Sequence, residues 1–482
     1  MDLCKSAPNH LVPDIRYPTR ARHQGFPVTV LTRRERFVSK NLPVPRILIA
    51  GTHSGCGKTT IARGLMQAFT SQGLVVQPFK VGPDFIDPTH HTTICGRNSR
   101  NLDPFMMGEE GVRETFVKAS RGADIAVIEG VMGMFDGLDG TLEASTAHVA
   151  ELVGTPVILV VDVKGMSRSA HAIVSGFTSS QGGERIAGVI FNRLGSDRHR
   201  SLIERSADRN ILGWMKRRPG LELKSRHLGL VMASEVDTDA AAGDAVSEDC
   251  DTGAILEIAR NTSPFEVPEP LPDDPGDRPV IGIARDEAFC FYYQDNLERL
   301  VASGAELVFF SPIRDPLPKT DAIYLGGGYP ELHAGALEVS SATKAVTAAA
   351  DRGMPIYAEC GGLLFLTRGI RTDREYRMAG VLPACAEMTT SVQALGYSDG
   401  RGSGKNSYIS PGMKIKGHEF HYSRIECMPD ARFIVELSRG NGISGGKDGL
   451  SEHETAGSYT HSYFTREFSD SFVNAARMFK RQ

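Results

Sequence analysis

Short, largely apolar runs punctuate this chain at regular intervals, at residues 47–50, 74–79, 125–128, 157–161 and 187–191. Runs with no polar alternation belong to strands buried on both faces. The segments between them are long enough to hold helices, and residues 58–70 read as one. Strands alternating with helices predict a parallel sheet covered on both sides. A second series at 280–284, 306–310, 322–325 and 355–358 predicts a second α/β unit. Between the two series, residues 264–278 carry five prolines among acidic residues, a composition that cannot build a sheet interior and reads as a linker. Residues 398–412 and 440–457 are rich in Gly and Ser and are expected to be surface loops. No internal repeat is evident. The expected organisation is a basic, disordered tail over 1–45, a first domain over 46–264, a Pro/Asp-rich linker over 265–278 and a second domain over 279–482.

Composition narrows the class. At 482 residues the chain exceeds one ordinary core, and 41% hydrophobic with 23% charged residues is ordinary for a globular protein. A net charge of −4 gives no global field for nucleic acid. No apolar run approaches the ~18 residues of a membrane span. Eight cysteines without a CxxC pair argue against a zinc ribbon or a disulfide framework, so a reducing cytoplasm is the expected compartment. The Arg-rich residues 1–45 hold no signal-peptide core. A tail or an early start codon explains them more simply than a transit peptide.

The first candidate site is Gly51-Thr-His-Ser-Gly-Cys-Gly-Lys-Thr-Thr60, which follows a strand and opens a helix. That is the setting of a phosphate loop. Gly51, Gly55 and Gly57 let the backbone curl so that amides face phosphate, and the helix N-terminus adds positive potential. Lys58 can reach the β/γ-phosphates and Thr59 can hold Mg²⁺, with Thr60 beside it. Thr52 occupies the position where the usual pattern has its first glycine. Glu129 ends an apolar strand, the edge at which ligands meet a parallel sheet, and is the expected second group for Mg²⁺. The segment Phe79-Lys-Val-Gly-Pro-Asp-Phe-Ile-Asp-Pro-Thr-His-His91 leaves another strand toward the same edge. Lys80 is a candidate for phosphate or a substrate carboxylate, and Asp84 and Asp87 for metal or acceptor. Capping carboxylates of an Asp-Pro turn would look the same.

The second candidate site is Pro355-Ile-Tyr-Ala-Glu-Cys-Gly-Gly-Leu363, which puts Cys360 on a sharp turn between strand and helix. A thiol there is presented at the sheet edge, and the helix N-terminus is expected to lower its pKa. Upstream, Leu325-Gly-Gly-Gly-Tyr-Pro-Glu331 is a glycine-rich loop after a strand. The base must be a histidine distant in sequence. His461 is preferred, with His418 and His421 as rivals.

Several of these motifs carry a family resemblance. The GT-x4-GKT loop resembles the dethiobiotin synthetase-like branch of P-loop enzymes. KVGPDxxDPxxH, Asn101-Leu-Asp-Pro104, Glu129-Gly-Val-Met-Gly-Met-Phe-Asp-Gly137 and Ser225-Arg-His-Leu-Gly-Leu230 are similar to the cobyrinic acid a,c-diamide synthase family. The match runs from about residue 46 to the C-terminus. It implies an α/β fold in two parts: a P-loop parallel-sheet domain, then a class I glutamine amidotransferase-like domain. It further implies an ATP- and Mg²⁺-dependent ligase of cobalamin biosynthesis. Glutamine and a tetrapyrrole polycarboxylate would be the substrates, with the a- and c-acetates amidated through acyl phosphates, and a homodimer is an admissible assembly. Asn192 would then read the adenine. Lys80, Asp84, Phe85, Ile86 and Asp87 would face the acceptor. Gly327, Gly328 and Gly361 would supply oxyanion donors, with Cys360 and His461 catalytic. Many class I glutaminases place Glu two residues after the histidine; here that residue is Tyr463, and the family manages with a Cys–His pair. The family also commonly has Tyr-Leu where this chain has Phe85-Ile86. That pair, His90-His91 and Glu143-Ala-Ser-Thr-Ala-His148 look more like the relative that amidates nickel-sirohydrochlorin toward coenzyme F430 in methanogenesis. Two other readings are a regulatory P-loop ATPase with a degenerate glutaminase-like module, and a dethiobiotin-type ligase. Intact Cys360 and His461 disfavour the first, and the C-terminal half disfavours the second.

Overall fold

A computed structural model describes residues 44–205, 210–218, 239–265, 277–404 and 406–482. The 225–230 motif, residues 1–43 and most of the expected linker lie outside these.

The first half contains seven strands, β1 (Arg46–Gly51), β2 (Val76–Val81), β3 (Arg100–Leu102), β4 (Ile125–Glu129), β5 (Val157–Asp162), β6 (Ile186–Leu194) and β7 (Ile211–Lys216), of which β3 and β7 were not among the five apolar runs. They make one parallel sheet in the order β3-β2-β4-β1-β5-β6-β7. β1 is central and buried along its length, which accounts for its lack of alternation. Even Arg46 is buried, because its guanidinium donates to the carbonyls of Val44, Val153, Gly154 and Ser263. The helix Lys58–Ser71 packs one apolar face on the sheet through Ile61, Leu65 and Phe69. Parallel strands carry their loops on one edge, so the turns after β1, β2 and β4 converge there.

The second half contains β8 (Val280–Ala284), β9 (Glu306–Phe310), β10 (Ala322–Leu325), β11 (Ile356–Glu359), β12 (Gly369–Arg371), β13 (Glu375–Arg377), β14 (Ala384–Met388), β15 (Ala394–Gly402), β16 (Lys414–His421), β17 (Ser423–Cys427), β18 (Arg432–Arg439), β19 (Lys447–Glu452), β20 (Thr455–Ser458) and β21 (His461–Ser462). Ten of these form a mixed sheet, β21-β16-β15-β18-β19-β20-β11-β10-β8-β9, and β13-β12-β14-β17 form a small second one. The four runs legible in sequence are the parallel core β8–β11.

The two glycine-rich stretches are surface loops only in part. Residues 398–412 include the end of β15 and a turn that buries Tyr408 and Ile409, and residues 440–457 include β19 and most of β20. Their glycines lie where other chain segments come close: Gly457 beside Leu363 and Leu382, Gly402 beside Ser410. Small residues there reflect tight packing.

The halves meet through side chains from both. Arg100 on β3 pairs with Glu298 at 2.5 Å, and Lys118 reaches the same carboxylate at 2.6 Å. Tyr397 donates to Asp103 at 2.7 Å. Phe105, Met106, Ala144, Tyr293 and Tyr463 form an apolar cluster at the seam.

Candidate active sites

The loop after β1 has the geometry of an anion cradle. Gly57 sits at φ 102° immediately before the helix Lys58–Ser71, and a side chain there would collide with the Asn192 amide. Asn192, near the end of β6, donates to Cys56 O at 2.9 Å, while its own oxygen accepts the Arg193 N–H. Both polar ends thus brace local backbone. Thr52 continues the sheet, since its N–H goes to Val160 O at 3.2 Å. Gly55 is exposed at the loop tip with φ 81°, Lys58 is buried at the helix start, and Thr60 is half-buried behind it. Burial lowers the Lys58 pKa, and nearby Lys80 lowers it further.

Glu129 is fully buried and collects three partners. Thr59 Oγ1 donates to its Oε1 at 2.6 Å, Lys80 Nζ lies 2.8 Å from the same oxygen, and His91 Nε2 lies 2.8 Å from Oε2. Burial pushes this carboxyl up, yet Lys80 and His91 hold it well below the usual carboxylate range. Thr59 and Glu129 are therefore adjacent hard-oxygen donors beside the loop, a set that fits Mg²⁺. Among the described residues no group of three or more His, Cys, Asp or Glu could hold a metal. The remaining ligands would come from phosphate and water.

Two of the candidate residues are already engaged by other groups. Asp84 does not join the Thr59–Glu129 pair. Its carboxylate caps its own turn, accepting the N–H groups of Ile86 at 2.8 Å and Asp87 at 3.3 Å, and burial with Asp87 nearby raises it to about 7. Lys80 does not present a free ammonium either, being paired with Asp87 at 2.6 Å as well as with Glu129. Burial disfavours its charge, but those carboxylates outweigh burial and raise its pKa.

Phe85 lies where the halves touch. Its ring stacks on Phe291 at 5.2 Å and lies 4.6 Å from Tyr293, 5.5 Å from His418 and 5.1 Å from His461. Tyr293 Oη also donates to Pro83 O at 3.1 Å and lies 2.9 Å from His418 Nδ1. Ile86 is buried and opens the next helix. The turn after β2 thus runs from the Thr59–Glu129 pair to the histidines of the second half.

Cys360 occupies the turn between β11 and the helix Gly361–Leu366, at φ 46° and ψ −100°. A non-glycine residue at positive φ is strained, a cost typical of functional turns. The expected acidic thiol is absent: burial pushes it up to about 12, with Glu331 adding to the effect. A helix of six residues does not overcome that desolvation. Gly361 lies against Gly328, and a Cβ on it would stand 2.9 Å from Gly328 N. Gly327 is not a free oxyanion donor, because its N–H goes to Phe291 O at 3.3 Å. What Gly327 provides is room, since a side chain there would strike the His461 ring.

β21 pairs with β16 so that His461 opposes His418, and the two rings stack at 5.1 Å. Burial, then His418 and His421, hold the His461 imidazole well below its usual range. It is therefore neutral, and its Nδ1 has no partner among the described residues. The rivals are engaged. His418 Nδ1 meets Tyr293, while His421 Nδ1 meets Ser423 O at 2.9 Å and its ring stacks on Tyr459. Burial pushes His418 down to about 3 and His421 to about 4. The Cys360 thiol itself lies 3.9 Å from Phe420 O, between these two histidines on β16.

Sequence reasoning missed His91 as the second grip on Glu129, Tyr293 as the bridge at the seam, and Asp103 as both helix cap and Tyr397 acceptor. The Asp-Pro step at 103–104 was the available signal, since Asp103 accepts the Met106 N–H at 3.0 Å and Pro104 begins the helix.

Residues 47–231 match the family described as CobQ/CobB/MinD/ParA nucleotide binding domain, and residues 280–468 match the CobB/CobQ-like glutamine amidotransferase domain. A "Cobyrinate a,c-diamide synthase" of Methanosarcina barkeri is 40% identical, the alignment covering 91% of this chain and 97% of the relative. One from Listeria innocua is 42% identical over 87% and 96%. A "Hydrogenobyrinate a,c-diamide synthase" of Streptomyces coelicolor is 39% identical over 88% and 95%.

Proposed function

The chain belongs to the cobyrinate a,c-diamide synthase family, and from that premise we propose that it converts the a- and c-acetates of a corrinoid to amides, using ATP and glutamine. The observation that carries this reading is the joining of two sites by one turn. From Thr59 the contacts run to Glu129 at 2.6 Å, to Lys80 at 2.8 Å and to Asp87 at 2.6 Å, and Phe85 of the same turn lies 5.1 Å from His461.

In the carboxyl-terminal half, Cys360 attacks the glutamine carboxamide. Because the thiol and imidazole are both neutral, His461 takes the proton as the C–S bond forms and returns it to the departing ammonia. The amides of Gly328 and Gly361 face the developing oxyanion; one such donor is worth about 2.7–4 kcal/mol. Water then hydrolyses the thioester to glutamate. In the amino-terminal half, the acceptor carboxylate takes the γ-phosphoryl group of ATP, and ammonia displaces phosphate from the acyl phosphate. Lys58 and the loop amides stabilise the charge moving onto phosphate. Thr59 and Glu129 would hold Mg²⁺, which neutralises phosphate charge when bound. Lys80 and His91 orient Glu129, and Asn192 keeps the loop curled. Asp87 holds Lys80 at the acceptor edge.

The missing tyrosine hydroxyl at Phe85 does not by itself indicate a nickel tetrapyrrole, because the ring is surrounded by aromatic side chains that need no hydroxyl to pack. Turnover of cobyrinic acid and nickel-sirohydrochlorin, side by side with ATP, Mg²⁺ and glutamine, tests the assignment. A corrinoid synthase forms the diamide from the first at least tenfold faster. Preference for the second would overturn it.

A further inference from the structure

The residue that usually orients the histidine of a Cys–His–Glu glutaminase is replaced here by Tyr463. Its hydroxyl is turned away, 3.3 Å from Arg299 and 3.5 Å from Thr115 of the other half. Among the described residues the imidazole therefore receives no carboxylate through Nδ1. β21 is only two residues long and lies at the sheet edge, so its ladder is a weak anchor for a base.

The backbone around it is nevertheless held on both sides. Asp448, fully buried on β19, accepts the Tyr459 N–H at 3.0 Å and the Thr460 N–H at 3.1 Å. Glu359, 1% exposed, accepts the Ser462 N–H at 3.0 Å with one oxygen and the Tyr324 hydroxyl at 2.8 Å with the other. Asn296 completes the grip, accepting the Phe464 N–H and donating to Ser462 O, both at 2.8 Å. Glu359 immediately precedes Cys360. One side chain thus ties the strand that presents the nucleophile to the residue after the base.

We propose that Glu359, seconded by Asp448, is the positioning residue of this glutaminase, doing through the backbone of residues 459–462 what a triad carboxylate does through the imidazole. The inference rests on the assignment of Cys360 and His461 as nucleophile and base. It predicts that the Cys360–His461 separation depends on a hydrogen bond that any acceptor of the same shape can make. Glutamine at 359 keeps an oxygen for Ser462, whereas leucine removes it and leaves a buried N–H unpaired.

The test is steady-state amidation by the full chain with glutamine or with ammonia. Glu359→Leu should lose about 100-fold in glutamine-dependent kcat, the lower end of what a positioned base supplies, with KM for glutamine changed less than threefold. Glu359→Gln should recover to within about threefold of the parent. Ammonia-driven amidation reports that each variant is folded. Glu359→Leu within threefold of the parent would overturn the proposal, as would equal losses in the Leu and Gln variants. If the Leu variant does not fold, Tyr324→Phe decides: a three- to tenfold loss with glutamine alone supports the proposal, and no loss overturns it. Cys360→Ala and His461→Ala run in parallel. Glutamine-dependent activity surviving in either would refute the parent assignment and not the positioning role.

Discussion

Lys80→Met removes the cation from a buried cluster of carboxylates. The Lys80 and Glu129 side chains are 6% and 0% exposed, and His91 on the far oxygen is also 0% exposed. Without Lys80, the Glu129 carboxylate keeps only the Thr59 hydroxyl and His91, with its side chain 0% exposed. Asp87, whose side chain is 20% exposed, can be rehydrated, so the cost falls on Glu129. Breaking one partner from a buried pair costs about 3–5 kcal/mol, and losing Lys80 removes the largest influence holding the Glu129 carboxyl below its usual range. Trp214, the sole tryptophan, lies on β7 with its ring 5.2 Å from Phe191. Its fluorescence therefore reports unfolding of this half in urea. The expected loss is about 3–5 kcal/mol for Lys80→Met. The double variant Lys80→Met/Glu129→Gln should be less destabilised than the sum of the singles by about 1–3 kcal/mol. A Lys80→Met loss below about 1 kcal/mol, the scale of an exposed pair, would refute the account of Glu129 as a charge held in place by Lys80.

The thiol pushed up to about 12 predicts slow alkylation of Cys360 by iodoacetamide at neutral pH, in the range of an un-ionised thiol; rapid stoichiometric labelling would contradict it. A histidine with a depressed pKa loses its proton-accepting form only when pH falls through the lowered value. The acid limb of glutamine-dependent kcat/KM should therefore lie well below pH 6.5, and a limb at the ordinary histidine position would show that another group acts as base. Burial raises Glu359 from 4.5 to about 8, so the folded chain binds the extra proton between these values. That contribution to stability is complete below about 4.5 and is lost as pH rises through about 8. Urea midpoints measured across this range should decline less steeply in Glu359→Gln, and parallel declines would show that Glu359 does not titrate there.

The elements legible in the sequence were those with a strong local signal. The runs at 280–284, 306–310 and 322–325 coincide with β8, β9 and β10; β8 and β10 are buried along almost their whole length and carry no alternation to blur their ends. The antiparallel extension β16-β15-β18-β19 was hidden, since its strands interleave charged residues or glycine with a few buried positions and show no long apolar run. The phosphate loop and Cys360 were legible because glycines next to a strand end are needed for the turn itself. Partners were harder to read. Lys80, Asp84 and Asp87 were recognised as functional residue types, but which would cap a turn and which would pair depends on Glu129, some 40 residues away. The thiol pKa failed for the same reason: a motif shows the helix N-terminus but not the depth at which the sulfur is buried.

In the proposed reaction, ammonia made at Cys360 is consumed at a site built around Lys58. Its most direct test is diamide formation by Cys360→Ala and Lys58→Ala with glutamine and then with high ammonia. Cys360→Ala should be inactive with glutamine and active with ammonia, and Lys58→Ala should be inactive with both. Cys360→Ala failing with ammonia, or Lys58→Ala succeeding with it, would contradict the division of labour between the two halves.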